Sequence, residues 1–261
     1  MKLLYIANAR IPTEKAHGVQ IIKMGEVFQR LGVQVELLVP FRVQSERMKQ
    51  VQNLWTHYAV ETPFAIRRLP APDTIRLPGR IPGKIRALLY QLQSLIFSLL
   101  ALLVTLFQRD SVYYTRHVQP LLVLCLTRWL HRKPIYFEAH ELHGKPDGSG
   151  LRPVVYRAVM GWMLRQVDGM IVITHGLKRL YAGMGLDERK ILVAPDGIES
   201  KRLHDVPDKF AARQHLQLPL EKKILCYTGH LFPWKGVYTL AASAQYLPDA
   251  VMIYLVGGME N

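Results

Sequence analysis

The sequence has little cysteine and a shortage of acidic residues. Its 261 residues include two cysteines, Cys125 and Cys226, which are too few for a disulfide framework. Both lie in apolar runs, so we expect two buried thiols in a reducing compartment. Asp and Glu number 20 against 34 Lys and Arg, which gives a formal net charge of +14. That excess favours anionic partners: nucleic acid, anionic lipid or phosphorylated small molecules.

Several fingerprints of common nucleotide-binding and exported proteins are missing. The loop after the first predicted strand has one glycine, Gly18, so the GxGxxG pattern of dehydrogenases is absent. No GxxxxGK[ST] run occurs, which excludes a P-loop nucleotidase. No Asp-x-Asp pair is present, so we expect no metal, and we expect no cofactor. The apolar run Leu3–Ala7 is shorter than the about 7–15 residues of an export signal and predicts a buried strand instead.

Apolar strand-like runs alternate with segments of helical period along the first 200 residues. Such alternation predicts βαβ units and a doubly wound parallel sheet. The predicted strands are Leu3–Asn8, Val33–Pro40, Ser111–Thr115, Pro134–Ala139, Met170–Thr174 and Lys190–Ala194. The predicted helices are Val19–Leu31, Ile85–Phe107, Pro120–Leu130, Val154–Gln166 and Leu177–Met184.

A second α/β segment follows a polar connector that begins at Ile198. It comprises a short helix and then a strand–helix–strand set: Lys209–Leu216, Lys222–Thr228, Val237–Tyr246 and Val251–Val256. We therefore predict a first domain over residues 1–205 and an incomplete second domain over residues 206–261. About 55 residues is near the lower limit for independent folding. We expect that the chain is incomplete or that another chain completes this domain.

One long segment raises the question of a membrane. Ala87–Gln108 carries no charge and could cross a bilayer core of about 30 Å. Its polar residues fall on one helical stripe, which predicts a wet side and an apolar side; they are Gln91, Ser94, Ser98, Thr105 and Gln108. Three interpretations stay open: a transmembrane span, a helix packed in the domain, and a packed helix that also touches lipid.

The residues before this segment are basic. Between Arg42 and Arg86 there are nine Lys or Arg and three acids, an excess of charge that an anionic cytoplasmic leaflet attracts. A solvated loop that keeps the protein soluble explains the same charges. We expect a cytoplasmic protein, with peripheral attachment to the inner membrane face as an open alternative.

Candidate functional residues follow the predicted strands. Ligands of open α/β sheets bind beyond the carboxyl ends of the strands. His140 and Glu138 stand at such an end and could provide hydrogen bonds or acid–base chemistry. Arg116 and His117 follow another strand and form a cationic pair. Each of these residues could equally have a structural role, as a loop side chain that hydrogen-bonds to backbone carbonyls.

The sharpest local pattern lies in the second domain. A predicted strand runs into Gly229 and His230, and Lys235-Gly236 precedes the next helix. A lysine at a helix start adds a point charge to the positive end of the helix dipole, which suits a diphosphate.

Together these segments resemble the family-4 retaining glycosyltransferases, whose GT-B fold has two facing Rossmann-like domains. The matching segments follow the family's order along nearly the whole chain. They are the Gly18 loop, Phe137–His140, Val172–Thr174 with Leu177-Lys178, Val193–Ile198, Tyr227–Gly236 and Tyr254–Gly258.

The resemblance implies transfer of a sugar from a nucleotide-diphosphate sugar to an acceptor hydroxyl with retention. It implies that Gly18 lies near the donor phosphates and His140 near the reacting centre. It also implies that Lys235, with Gly229 and His230, neutralises the diphosphate leaving group without a metal. Arg116, His117 and Glu138 are acceptor-side candidates. The acceptor would be a saccharide or a lipid-linked molecule, in polysaccharide or glycolipid synthesis.

Two departures from the family bear on activity. His230 stands where the family commonly has arginine, so a permanent charge becomes a titratable one. The family's pair of glutamates spaced eight positions apart would lie beyond Asn261, so we expect this chain by itself to be nearly inactive. The alternative function is a non-catalytic acceptor-binding or membrane-docking partner of a separate donor-binding chain. Nucleic-acid binding is disfavoured because the basic residues lack interleaved aromatics or a recognised module.

Overall fold

A computed structural model describes residues 1–42, 44–73, 82–143, 151–198 and 206–258. It divides the chain into two compact units, Met1–Asp196 and Gly197–Asn261. The predicted domain boundary at residues 205 and 206 falls beside residues 199–205, which lie outside the described residues, as do Arg76 and Arg80 of the basic stretch.

The first unit is built on one seven-stranded sheet. Its strands in chain order are β1 (Lys2–Ile6), β2 (Gln34–Pro40), β3 (Ala65–Leu69), β4 (Ser111–Thr115), β5 (Ile135–Ala139), β6 (Gly169–Val172) and β7 (Ile191–Val193). They lie in the order β3-β2-β1-β4-β5-β6-β7, and every neighbouring pair is parallel. The order reverses direction at β1, which is the mark of a doubly wound sheet and confirms the predicted fold class.

Helices cover both faces of this sheet. They are α1 (Ala16–Arg30), α2 (Glu46–Lys49), α3 (Leu54–His57), α4 (Gly83–Thr105), α5 (Val118–Leu126), α6 (Arg128–His131), α7 (Leu151–Gln166) and α8 (His175–Gly183). Successive strand residues point to opposite faces, so the sheet supports two cores. One contains Leu4 and Phe137 with residues of α4, α5 and α7, and the other contains Tyr5 with residues of α1.

The sequence missed the edge strand β3. Its central residues, Arg67 and Arg68, are exposed and look like part of a polar loop. Within the described part of the chain β3 pairs only with β2. An edge strand of this kind does not need the continuous apolar run of a strand buried on both faces. Arg67 Nε lies 2.6 Å from Glu36 Oε1, which ties the edge strand to its neighbour through charge as well as backbone.

The prediction that the polar stripe of α4 faces the solvent is wrong, because most of the stripe faces the sheet. Ser94, Ser98 and Thr105 are buried against the sheet. The Ser98 hydroxyl donates to Ser94 O at 2.6 Å, and Thr105 Oγ1 lies 3.0 Å from the Tyr113 hydroxyl. Small hydroxyl side chains whose polar atoms are satisfied locally let the helix approach the sheet closely. Of the predicted stripe, only Gln91 is exposed and Gln108 is partly buried.

The second unit contains a small parallel sheet. Its strands, β8 (Lys223–Thr228) and β9 (Val251–Val256), pair in register from Lys223 with Val251. Its helices are α9 (Lys209–His215) and α10 (Val237–Ser243). The prediction that Cys226 is buried is wrong, because residues of this two-stranded sheet are exposed or only partly buried along the whole of β8. Cys125 is buried as predicted.

Candidate active site

A cavity of about 1390 Å³ opens within the first unit at the carboxyl ends of the strands. The segments after β1, β4 and β5 bring Asn8, Arg10, Arg116, His117 and His140 to its wall. Parallel strands end at the same edge of a sheet, which is why residues more than a hundred positions apart meet here. This edge is the place at which a ligand of such a sheet is expected.

His140 forms a tight pair with Glu138 at the end of β5. His140 Nε2 donates to Glu138 Oε1 at 2.6 Å, and the Glu138 side chain is almost fully buried. Burial raises the pKa of Glu138, but the hydrogen bond from His140 and the charge of Arg116 outweigh it, so the pKa is lowered and the carboxylate is ionised. Because Nε2 is held by Glu138, Nδ1 is the ring atom left to face a ligand or Asp196, whose Oδ1 is 3.8 Å away.

Gln20 on α1 links this pair to a cation. Its Oε1 accepts a hydrogen bond from Arg116 at 2.8 Å, and its Nε2 lies 3.2 Å from His140 Nε2 and donates to Asp196 Oδ1. One amide therefore joins the ends of β4, β5 and β7. The arrangement fixes the guanidinium and the imidazole relative to each other before any ligand arrives.

A second network of side-chain hydrogen bonds lies at the base of the cavity, near the ends of β1 and β2. Arg42 is buried and donates to Asn8 Oδ1 and to Gln93 Oε1, both at 2.7 Å. Asn8 in turn donates to Ser94 Oγ at 2.8 Å. Buried Arg42 Nε has no hydrogen-bond partner among the described atoms. Neutral amides orient the Arg42 guanidinium without neutralising its charge, so that charge can still attract an anionic ligand.

The cavity is positively charged, and burial lowers the pKa of His17, His117 and His143 on its wall. Among the residues that the structure describes, four Lys or Arg side chains line it with a single acid, Glu141; the four are Arg10, Lys15, Arg42 and Arg116. Burial, together with the charge of Arg116, lowers the pKa of His117 to about 3. His117 Nδ1 accepts from the Asn8 backbone N–H at 3.4 Å, so His117 acts as a neutral acceptor and not as a further cation.

This state of His117 predicts an acid-sensitive fold. Its folded pKa lies below its unfolded value of 6.5, so the unfolded chain takes up the proton first. Stability is therefore present above pH 6.5 and is lost as the pH falls toward 3. Because the ring is partly exposed, we expect His117 to account for about 1–2 kcal/mol of the loss between pH 7 and pH 5. Urea unfolding at both pH values should show a smaller loss for His117→Gln, and an equal loss would contradict the assignment.

One wall of the cavity is apolar. It is formed by side chains of α5 and α7, which are Leu122, Leu151, Val155, Tyr156, Val159 and Met163. The cations lie in the segments after β1, β2 and β4, so the cavity offers charge in one part and apolar surface in another. Such a surface suits a ligand with an anionic group and an apolar portion.

Gly18 has a packing role. It lies in the first turn of α1, and its N–H donates to Lys15 O at 2.9 Å. A Cβ there would lie 2.2 Å from Thr13 Cγ2 and 3.0 Å from the Tyr58 hydroxyl. Glycine is therefore needed where the loop that carries Lys15 joins α1, whose first turn brings His17 to the cavity. A place for Gly18 near donor phosphates stays a prediction.

The other predicted donor residues share one loop of the second unit. Gly229 ends β8 with φ +140°, a conformation that favours glycine. His230 Nδ1 lies 3.2 Å from Gly258 O. Exposed Lys235 ends a 3-10 turn, Pro233–Lys235, and its Nζ lies 4.4 Å from the centre of the Trp234 ring. Left-handed Gly236 then caps α10. The diphosphate-binding roles of Gly229, His230 and Lys235 also stay predictions.

The structure adds residues that sequence reasoning missed. Arg42 was assigned to the basic stretch but lies in the cavity, and its position immediately after β2 was an available signal. Gln20 carries no such signal, because only the packing of α1 brings its amide to Arg116 and His140. Among the described residues, no group of three His, Cys, Asp or Glu side chains could hold a metal ion.

The chain resembles known proteins both in family and in fold. Residues 17–197 match the family described as glycosyl transferase 4-like domain. The chain belongs to this glycosyltransferase family. The matched range contains α1, His140 and Asp196, and so covers most of the cavity. No curated protein matches the sequence.

Solved structures show the same fold at low identity. HepE of Anabaena in complex with UDP-glucose is 15% identical with a TM-score of 0.64, and the match covers 99% of this chain and 61% of HepE. A glycosyltransferase of Rickettsia africae is 12% identical with a TM-score of 0.58, covering 98% of this chain and 68% of that one. The lipopolysaccharide outer core galactosyltransferase WaaB, in its apo form, is 13% identical with a TM-score of 0.55, at 98% and 68% coverage. The chain therefore spans about three fifths of the length of HepE and has the fold of GT-B glycosyltransferases.

Proposed function

We propose that the protein transfers a sugar from a nucleotide-diphosphate sugar to an acceptor hydroxyl with retention at the anomeric carbon. The observation that carries this proposal is the cavity of a glycosyltransferase-family domain in which the His140–Glu138 pair adjoins Arg116 at the carboxyl ends of the strands. Preorganised donors and charges of this kind stabilise the charge that develops as a glycosidic bond breaks. His140 is the proposed catalytic residue.

The donor side of the proposal rests on the second unit. Gly229, His230 and Lys235 would hold the diphosphate, with Lys235 neutralising the leaving group as its negative charge grows. HepE, a structural relative, was solved with UDP and with UDP-glucose, which supports a nucleotide-sugar donor. The stacking of Trp234 beneath Lys235 would orient the ammonium while leaving its N–H groups available.

The acceptor side rests on the mixed character of the cavity. Arg42 and Arg116 would bind an anionic part of the acceptor, and the apolar wall on α5 and α7 would hold an apolar part. We therefore favour a lipid-linked acceptor over a free saccharide, in polysaccharide or glycolipid synthesis. Among the structural relatives is WaaB, named for the outer core of lipopolysaccharide, and its name supports an envelope product. The proposed location is the cytoplasm.

Transfer by the full-length protein tests the proposal directly. Labelled UDP-hexoses are supplied with a lipid extract or a soluble oligosaccharide, and the product is partitioned into organic solvent. We expect organic-soluble label whose anomeric configuration by NMR equals that of the donor. An inverted product would overturn retention, and water-soluble product alone would overturn the lipid-linked acceptor. Absence of turnover together with copurification of a separate donor-binding chain would favour the non-catalytic alternative.

Lys235→Ala tests the donor site. We expect kcat to fall about 10²–10³-fold, because one preorganised charge on the leaving group is lost. The matched control is Lys209→Ala, an exposed lysine on α9 of the same unit, which should leave kcat within twofold. Steady-state rates with a saturating nucleotide sugar measure both variants. Equal rates for Lys235→Ala and the control would contradict a role for Lys235.

A further inference from the structure

The outer face of α4 is an uninterrupted apolar stripe. Exposed apolar residues recur at intervals of three or four along the helix, the period of one helical face; they are Ile85, Leu88, Leu92, Leu95, Leu99, Leu103 and Phe107 just beyond its end. Leu88 is 68% exposed, Leu103 62% and Phe107 88%. Exposed leucines are ordinary one by one, but a contiguous apolar stripe marks an interaction surface.

The opposite face of the same helix is committed to the first unit. Gln93 accepts from buried Arg42, and Ser94 accepts from Asn8. Phe97 and Ala101 belong to the core on that side of the sheet. The helix is long and apolar enough to cross a membrane by length and composition, with one third of its most apolar window buried. Crossing would pull these contacts out of the core and remove Gln93, one of the two amides that hold buried Arg42, so a span is disfavoured.

Basic residues stand at both ends of the stripe. Lys84 and Arg86 are exposed in the first turn of α4. At the other end, Phe107, Arg109 and Arg132 line one shallow concavity. The exposed cations near the ends of α4 are Lys84, Arg86, Arg109 and Arg132, and Asp110 lies beside Arg109 in the concavity. The other cations of residues 84–133 are committed elsewhere: Arg116 lines the cavity, Arg128 pairs with Asp168 and Lys133 is buried. An apolar stripe flanked by cations is complementary to acyl chains beneath anionic headgroups.

We propose that α4 lies in the plane of an anionic lipid bilayer, with its leucine stripe among the acyl chains and Arg109 and Arg132 at the headgroups. Trp129, exposed on α6 between Arg128 and Arg132, has the amphipathic side chain that favours the interface. None of the stripe residues lines the cavity, although α4 contributes Tyr90 and Gln91 to the cavity wall. The docking surface therefore does not rest on the proposed glycosyl transfer. It places the protein at a membrane surface without spanning it.

Vesicle flotation tests the docking surface. The purified protein is mixed with vesicles of phosphatidylcholine alone or with 30% phosphatidylglycerol, and the bound fraction is titrated against lipid. We expect binding to the anionic vesicles. Each of Arg109→Gln and Arg132→Gln should weaken it about fivefold, the effect of about one unit charge near the surface. The double variant Leu88→Glu with Leu103→Glu should weaken it by at least tenfold.

The matched control is the double variant Leu31→Glu with Leu216→Glu, whose leucines are 74% and 62% exposed and do not belong to α4. It should bind as the wild type does. The proposal would be overturned if the wild-type protein did not bind vesicles, if both double variants lost the same amount of binding, or if phosphatidylglycerol made no difference to binding. Two further results would also overturn the proposal: a wild-type dimer that the double variant Leu88→Glu with Leu103→Glu dissociates, and a drop of several degrees in the unfolding temperature of that variant alone. Either of these two results would mean that protein, and not lipid, covers the stripe.

Discussion

Replacement of His140 by alanine is expected to lower kcat about 10²–10³-fold. The ring lies at the carboxyl end of β5 with Nε2 held by Glu138, so under the proposed function the imidazole would meet the substrate already oriented. Loss of one such preorganised group typically costs this much. The KM for the nucleotide sugar should change less, because the proposed donor contacts lie in the second unit. Initial rates across donor concentrations separate the two effects.

The control for this variant is His215→Ala, an exposed histidine in the last turn of α9. It should leave kcat within twofold. Circular dichroism and thermal unfolding show whether each variant keeps its fold. His140→Gln retains a side-chain N–H for Glu138 but has no ring nitrogen toward Asp196. If it recovers full activity, His140 positions Glu138 and has no catalytic role of its own.

Ser98→Asp is expected to destabilise the first unit by at least about 3 kcal/mol. Ser98 is buried on the sheet side of α4, and a carboxylate there would be desolvated without an ion-pair partner among the described side chains. For a chain of this size the unfolding temperature should fall by about 6–12 °C. Differential scanning calorimetry or urea unfolding measures the change.

Leu103→Asp is the matched control for this substitution. Leu103 lies on the same helix and is mostly exposed, so the helix-propensity cost of aspartate is shared by both variants. We expect a loss of about 1 kcal/mol or less. If the sequence-based orientation of α4 were right, with its hydroxyl stripe in water, Leu103→Asp would be the more damaging variant. The order of the two stabilities therefore decides which face is buried.

Much of the architecture could be predicted because it depends on local pattern. The buried strands β1, β4 and β5 are apolar runs of the right length, and the helices between them have helical period, so alternation alone indicated a parallel sheet. The edge strand β3 escaped because Arg67 and Arg68 interrupt its apolar pattern. The predicted helix Pro120–Leu130 is divided at Thr127 into α5 and α6, a break too small for periodicity to reveal.

The candidate site was predictable only in part. His140, Arg116 and His117 follow strands directly, and the rule that ligands bind at carboxyl ends was enough to select them. Arg42 obeys the same rule but was hidden within a run of basic residues. Gln20 lies on a helix, and its contact with Arg116 depends on how α1 packs across the sheet. No local feature of the sequence encodes that contact.

The sequence by itself determined the fold class, the order along the chain of every strand except β3, and the family resemblance, since these depend on local periodicity and on motifs in a fixed order. The tertiary structure decided which face of α4 is buried. Hydropathy assigns polar residues to water, but Ser94, Ser98 and Thr105 satisfy their hydrogen bonds within the fold. The close approach of helix and sheet then turns the leucines outward. Only the assembled sheet shows which polar groups have partners, and that decides which residues face the solvent.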